Sequence, residues 1–520
     1  MGNDQSASPP KNERYAWYVL IILVFVYILN FIDRQILSIL AEDIKRDLNL
    51  TDADLGFLYG TAFGVFYALF GIPLGRLADS WHRIRLMTIG LTIWSTMTAL
   101  SGFSRSGAEL AAARFGVGVG EATASPCAYS LLSDYFPKEK RATALAIYSS
   151  GLYLGGGGSL FIGGLIVKNW NEAYPTISSA PLGLVGWQAA FLAVGLPGLL
   201  LAVLVATLKE PLRGQSDGII TPPAANPFRG FVEELTTVIP PLTLIGAARR
   251  GMGALAINLI VAGAVIFASY MMIRVTGDIA QWTAIGIGVY AVFSWATALK
   301  QRDPPAFKLI WGTPAFLYVV LGYGLIAFTA YALSFWGPSF AVRDLGASLE
   351  VAGFWLGGSG ALGGFIGVIL GGKVADHLRK TNPAGRMVVA LIGAIAPLIP
   401  MVIIFTVKDL TLFYVLNIPM TILSSAALGA SAATALDLVL PRMRGTATAT
   451  FFIGTTLVGL ALGPYMAGKV STLTGDLATG ILSLLVVAPI SIFSLVMAYR
   501  LVPKAEASLI ERARAAGEPI

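Results

Sequence analysis

Charge is scarce in this chain. Charged side chains make up 12% of the 520 residues against 56% hydrophobic ones, and the mean hydropathy is +0.73. A water-soluble domain carries about 25% charged residues, so a soluble fold is excluded and a polytopic membrane protein is left. Cysteine is nearly absent. Cys127 stands alone inside an apolar run, which rules out an internal disulfide and any CxxC metal or redox site. The two histidines, His82 and His377, cannot form a metal cluster by themselves, so no metal and no cofactor are expected. No GxxxxGK[ST] segment occurs, and ATP is not expected as a direct energy source.

Apolar runs fill the space these absences leave. A crossing helix needs roughly 20 apolar residues. The expected spans are 16–40, 54–76, 84–103, 108–132, 142–168, 187–208, 253–273, 279–299, 314–338, 352–373, 386–407, 411–437, 445–468 and 479–502, fourteen in all. The polar start, 1–15, reads as a disordered tail. "MGNDQS" fits the myristoylation pattern of Gly2 with Ser6, but spans this hydrophobic leave a lipid anchor nothing to add. The first run is too long for a signal-peptide core and has no small-residue cleavage site after it, so it is expected to stay as a span.

Basic residues are distributed unevenly. With alternating spans, 26 of the 36 Lys and Arg fall on the side of the N-terminus and 8 on the other, leaving Arg34 and Arg114 inside spans. Such a bias predicts both termini in the cytoplasm, in a plasma or inner membrane. It also accounts for the net charge of +7 without a nucleic-acid partner, since basic loops face anionic lipid head groups.

Two motifs occur twice. "GRLADSWHRIR" (Gly75 to Arg85) is matched by "GGKVADHLRK" (Gly371 to Lys380), and "SDYFPKEKRATA" (Ser133 to Ala144) by "LDLVLPRMRGTATA" (Leu436 to Ala449). Each pair falls at the same place in a six-span unit. The chain therefore reads as an all-α bundle of two six-helix halves, 16–208 and 314–502. A linker with two extra spans (209–313) lies between them, and a tail (503–520) follows. Parallel repeats of this kind place a substrate site at mid-membrane between the halves. The extra spans carry few polar residues and are expected at the lipid-facing periphery.

"GRLADSWHR" and its second copy resemble the signature loop of the major facilitator superfamily. "NFIDRQ" (Asn30 to Gln35) with "ARFGVGVGEATAS" (Ala113 to Ser125) resembles its Spinster branch, with Phe31 where that branch usually has Tyr and Ser80 where the signature has a basic residue. The two-span insert is not typical of it. The resemblance implies alternating access and transport of lysolipids or sphingoid phosphates. It also implies a gate at the cytoplasmic helix ends, carried here by Gly75, Asp79, Arg83, Arg141, Asp376, Arg379 and Arg444, in which carboxylates meet arginines to latch the halves while the outward-facing state exists.

The few deep charges are Asp33, Arg34, Arg114 and Glu121. Each costs at least about 2.5–3.5 kcal/mol in mid-bilayer and must face a bundle interior or water, usually with a partner. Arg114 and Glu121 are seven apart, on one helix face and roughly 10.5 Å apart along the axis, too far to pair. The first span can supply partners: Asp33 to Arg114, and Arg34, about 100° around, to Glu121 or the cavity. Gly116, Gly118 and Gly120 between them permit close helix approach. Two readings stand: a brace between two helices, or a site where Asp33 and Glu121 exchange a proton while the arginines take an anion. Asn30 and Tyr67 are candidate polar contacts.

The second half lacks such charges and offers aromatic and small residues, so Tyr331, Phe335, Trp336 and Phe451 are candidates for an apolar cavity wall. The row Gly151, Gly155, Ser159, Gly163 predicts a close-contact face, either a sliding surface or plain packing. The reading is a monomeric, proton-coupled secondary transporter of an amphipathic anion, with membrane lipid around it. The alternatives are a symporter of small organic or sugar acids and a multidrug-type exporter. An enzyme is disfavoured because no catalytic cluster is present.

Overall fold

The computed structural model describes residues 13–217 and 226–519, the side chains of 138, 139, 142 and 217 apart. Most of the expected tail, with its Gly2 and Ser6, and residues 218–225 of the linker lie outside the described residues. Regular structure among the described residues is helical. Side chains suited to capping start several helices: Thr51, Ser106, Asp409 and Asp476 each accept a first-turn backbone N–H.

In chain order the helices are α1 (Glu13–Asp47), α2 (Asp52–Ser80), α3 (Arg83–Ser101), α4 (Gly107–Glu121), α5 (Ala124–Tyr135), α6 (Lys138–Ala173) and α7 (Gly186–Ala206). Then come α8 (Pro227–Val238), α9 (Leu242–Arg249), α10 (Met252–Thr276), α11 (Ile279–Arg302) and α12 (Pro304–Ile310). The last group is α13 (Pro314–Arg343), α14 (Leu349–Arg379), α15 (Gly385–Val407), α16 (Leu410–Asp437), α17 (Pro441–Thr474), α18 (Leu477–Ala507) and α19 (Leu509–Ala515).

Among the described residues twelve helices are long and apolar enough to cross a membrane, or thirteen if α8 and α9, bent by 103°, count as one span. The expected fourteen are therefore not reached. The two that fall short are 84–103 and 108–132. The first is α3, rich in Thr and Ser; the second is broken just after Glu121 into α4 and α5. These helices carry the residues that face Asp33, and a helix surrounded by other helices has no need of an all-apolar surface. The bent pair α8–α9 occupies a stretch read from sequence as linker.

The insert is only half peripheral. α10 and α11 form a hairpin turned at Gly277 (φ 83°), and α10 is almost wholly exposed. α11 instead packs between α2 and α17. There the Thr61 hydroxyl sits between Gln281 Oε1 (2.7 Å) and the Ala461 carbonyl oxygen (2.6 Å), and Asp278 holds Tyr465 (2.5 Å) and Lys469 (2.8 Å).

α1–α7 and α13–α18 meet mainly along two seams, α2 with α17 and α6 with α14, and α1 also packs on α13. Both α2 and α17 carry a π turn, at Phe57–Thr61 and Thr455–Leu460, and the two turns face each other: a Cβ on Gly60 would lie 2.2 Å from the Leu460 carbonyl oxygen. On the other seam a Cβ on Gly157 would lie 2.2 Å from the Gly357 carbonyl oxygen. These contacts are confined to one end of the bundle. Farther along α2 and α17, Gly71, Gly75 and Gly445 have nothing within 4 Å of a Cβ position. The helices splay toward the end that carries the basic loops and both described termini, here called the basic end. The far end is closed by a charge clamp. Arg343 of α13 bonds Asp52 (2.7 and 2.9 Å) and Glu42 (2.7 Å), while Lys45 and Ser471 complete the shell of the buried Asp52, each at 2.6 Å.

The row Gly151, Gly155, Ser159, Gly163 turns out to be fixed packing. It lies on α1, with Ser159 Oγ donating to the Ile32 carbonyl (3.0 Å) and a Gly155 Cβ position 2.3 Å from the Ile28 carbonyl oxygen. The row that meets α14 is Tyr153, Gly157, Leu160 and Gly164, about half a turn away.

The two seams give two tests. Gly157→Ala should destabilise by the ~1–3 kcal/mol of overpacking, whereas Gly156→Ala, with nothing within 4 Å, should leave thermal unfolding in detergent unchanged or raised. Arg343→Gln should loosen the far end, read as faster maleimide labelling of Ala53→Cys, buried at 3% exposure, in a Cys127→Ser background; equal rates would show that the clamp does not hold that end.

Candidate functional site: a buried charge cluster beside a central cavity

α1 brings its charges against α3 and α4. α4 can approach closely because its glycines leave no side chain in the way: a Cβ on Gly118 would sit 2.6 Å from the Phe63 carbonyl oxygen of α2, and one on Gly120 would sit 2.8 Å from Trp94 of α3. The result is a sealed cluster in which Asp33, Arg114 and Glu121 are at most 1% exposed and Arg34 is 9% exposed.

Arg34 Nη2 donates to Glu121 Oε2 at 2.8 Å, as the sequence allows. Its guanidinium carbon also lies 4.7, 4.6 and 4.9 Å from the ring centroids of Phe31, Phe63 and Tyr67. Such a desolvated aromatic cage contributes up to about 2 kcal/mol per contact. Tyr67 thus serves through its ring face. Asn30 is buried beside Glu121, and its Nδ2 has no hydrogen-bond partner.

Asp33 departs from expectation. Arg114 Nη1 donates to its backbone carbonyl (3.1 Å) and not to its carboxyl. Both Asp33 carboxyl oxygens are buried without a hydrogen bond. Trp94 Nε1 and Thr98 Oγ1 come up to them from α3 outside bonding geometry, and also lack partners, as do Arg114 Nε and Nη2. Buried polar groups are normally hydrogen-bonded, and several without a partner lie together here around Asp33.

Beside the cluster is a cavity of about 310 Å³ between the N-terminal and C-terminal helices. Arg34 is the only one of the four deep charges on its wall; Phe31, Gln35 and Tyr59 join it from the first repeat. The C-terminal wall differs from the one expected. Tyr331 lines it, but Phe335, Trp336 and Phe451 do not. Phe335 stacks on Tyr59 (4.3 Å between centroids), Trp336 donates to the Pro464 carbonyl (2.9 Å), and Phe451 stacks on Tyr323 (5.2 Å). Tyr331, Ser334 and Pro338 share one face of α13 at helical spacing, and that face is the one turned to the cavity. Asn417, Thr421 and Ser424 add polar groups from α16.

The repeated motifs meet each other inside each repeat. Arg83, fully buried, binds Asp134, Glu210 (2.7 Å) and Ser130 (2.8 Å). In the second repeat Arg379 binds Asp437 (2.9 Å) and Glu506, and Arg386 binds Asp376 (2.7 Å) and Asp437 (2.5 Å). A latch between halves, expected of the outward-facing state, is not formed among the described residues with the basic end splayed; these arginines brace helices on their own side of the bundle. Asp79 and Arg444 are exposed, Gly75 borders open space, and Arg141 donates to the Ser133 carbonyl (2.8 Å). Nearby, Arg442 bonds Asp303 and Glu518 and holds both carboxyls below their ordinary range through those hydrogen bonds. Sequence reasoning missed Phe63, Gln35, Ser334 and the Arg343–Asp52 clamp. Aromatics at 63, 66, 67 and 70 were the one available signal for the cage.

Residues 23–464 match the Major Facilitator Superfamily. The chain is 28% identical over 506 residues to "MFS-type efflux pump" of Mycolicibacterium smegmatis, covering 96% of each. It is 24% identical over 473 residues to "Protein spinster homolog 1" of Xenopus tropicalis, covering 88% of this chain and 73% of that one. Among solved structures it is similar to a bacterial homolog to the human lysosomal transporter Spinster in an inward-facing, unoccupied conformation. The TM-score is 0.68 at 24% identity, over 96% of this chain and 99% of that one. The chain belongs to the Major Facilitator Superfamily and is an integral membrane protein of that transporter family, similar to the Spinster proteins and not an enzyme.

Proposed function

We propose that this transporter moves an amphipathic anion by alternating access, with Arg34 as the anion contact and Asp33 as the proton carrier. The observation that carries the reading is the partition of these two neighbours: Arg34 stands on the cavity wall, and Asp33 lies behind it with both carboxyl oxygens unbonded. An unbonded carboxylate is costly to keep charged in a dry site, so this group is free to gain or lose a proton. Glu121 is held by Arg34. An anion that draws Arg34 away leaves Glu121 to Arg114 or to a proton, which links anion occupancy to protonation.

Within this reading two six-helix halves flank the insert, α3 and α4–α5 cross with the twelve apolar helices, and both termini lie in the cytoplasm by the positive-inside bias. The cavity then opens inward, as in the inward-facing Spinster neighbour. An apolar tail and an anionic head suit the charged first wall and the mixed second wall, and transport outward agrees with the efflux pump's name. A second reading, uptake of a short polyhydroxy acid, is favoured by Ser334, Asn417, Thr421 and Ser424 on the cavity wall.

Proteoliposome flux across a pH gradient tests both. Asp33→Asn should reduce gradient-driven flux to the no-gradient level while keeping counterflow; an unchanged pH response would remove Asp33 as the coupling group. Arg34→Gln should weaken anion binding roughly 10- to 100-fold, the ~1.5–3 kcal/mol of a charge-assisted hydrogen bond. Competition by lysophosphatidic acid supports the amphipathic reading, and competition by a six-carbon sugar acid alone supports the second.

A further inference from the structure

Gln35 follows Arg34 on α1, and its amide is shared between two repeats. Tyr59 OH donates to Gln35 Oε1 at 2.7 Å, within the first repeat. Gln35 Nε2 donates to Ser334 Oγ (2.9 Å) and to the Ser334 carbonyl (3.1 Å) of α13, in the second. One turn farther toward the far end, Ser38 Oγ lies 2.6 Å from the Phe335 carbonyl oxygen. Beyond it comes the Arg343–Asp52 clamp. Gln35, Tyr59 and Ser334 all line the cavity. The contacts that close the far end therefore begin on the cavity wall itself, at the residue next to the anion contact.

We propose that Gln35 is a positioning residue of the transport cycle: its bond to Ser334 ties the far end shut from within the cavity, and a head group seated on Arg34 takes the amide from Ser334 and releases that end. This deepens the proposed role of Arg34 and rests on it. The physical requirement is that a ligand shifts a conformational equilibrium only by its differential affinity for the two states. A ligand that competes for the Gln35 amide loses that contact whenever the Gln35–Ser334 bond is intact, and keeps it when the far end is open. The head group this selects is an anion with a hydrogen-bond acceptor close by, such as a phosphate ester or a hydroxylated backbone, because the freed Nε2 is a donor. The amide and the guanidinium belong to consecutive residues, so one head group a few ångströms wide can reach both.

Labelling of Ala53→Cys in the Cys127→Ser full-length chain, purified in detergent, reads the far end with and without dodecyl phosphate as probe. The parent should label slowly and speed up several-fold when the probe is added. Gln35→Leu should label fast without probe and gain nothing further from it, and Ser334→Ala, which deletes only a hydroxyl, should move partway in the same direction. Thermal unfolding and the monomer elution volume of each variant guard against misfolding. Probe-free rates equal to the parent in both folded variants would overturn the proposal, as would a full probe response in Gln35→Leu. If the parent fails to bind dodecyl phosphate, the proposed anion function fails instead, and the probe-free comparison still decides the role of Gln35.

Discussion

A guanidinium in hydrocarbon must be compensated, and the arrangement of the first repeat follows from that constraint. Two arginines and two carboxyls enter the bundle together, so the cluster carries no net formal charge when all four are ionised. Compensation is uneven. Arg34 has an ion pair and three aromatic faces, whereas Asp33 and part of Arg114 have unmet atoms. Removing one member of a buried pair typically costs about 3–5 kcal/mol because its partner is stranded, so Arg34 and Glu121 depend on each other most directly.

The two ends of the bundle obey different rules. At the far end, carbonyls and glycines meet at van der Waals limits and a clamp of five charged and hydroxyl groups ties α1, α2, α13 and α17 together. At the basic end Arg83, Arg379 and Arg386 pair with carboxylates on their own side of the bundle, while Arg442 bonds Asp303 of the insert and Glu518 of the tail. The two sides are thus braced separately where they stand apart. The facing π turns belong to the seam between α2 and α17. A π turn leaves its local carbonyls less tightly bonded, and the Ala461 carbonyl is shared with Thr61.

The helical fold and the four deep charges were legible in the sequence because each leaves a one-dimensional trace: a run of apolar residues or an isolated charge. The pairing of Arg34 with Glu121 was legible from helical spacing. What failed shares a cause. α3 and α4 were counted as spans from the same hydropathy that their buried, polar role dilutes. Phe335 and Trp336 were placed on the cavity because they neighbour Tyr331 in sequence, although the helix turns them about 40° and 140° away from it. The latch belongs to the outward-facing state; in the state seen here Arg83 meets Asp134 and Glu210, and Arg379 meets Asp437 and Glu506, partners that no local spacing announces. The Arg343 clamp was invisible because its acids lie about 290 residues away in the chain.

Three consecutive residues of α1 condense the argument. Successive side chains on a helix diverge by about 100°, so Asp33, Arg34 and Gln35 meet different protein partners. Asp33 faces Trp94 and Thr98 of α3, Arg34 faces Glu121 of α4 and the cavity, and Gln35 faces Ser334 of α13. A single helix therefore presents one group to a sealed polar pocket, one to the central cavity and one to the opposite side of the bundle, all within a rise of roughly 3 Å. Any displacement of α1 that answers a change at one of these contacts is imposed on the other two, because the backbone between them is rigid. The close packing of α1 on α6, through Gly155 and Ser159, passes that displacement to a helix whose other face meets α14 of the second repeat.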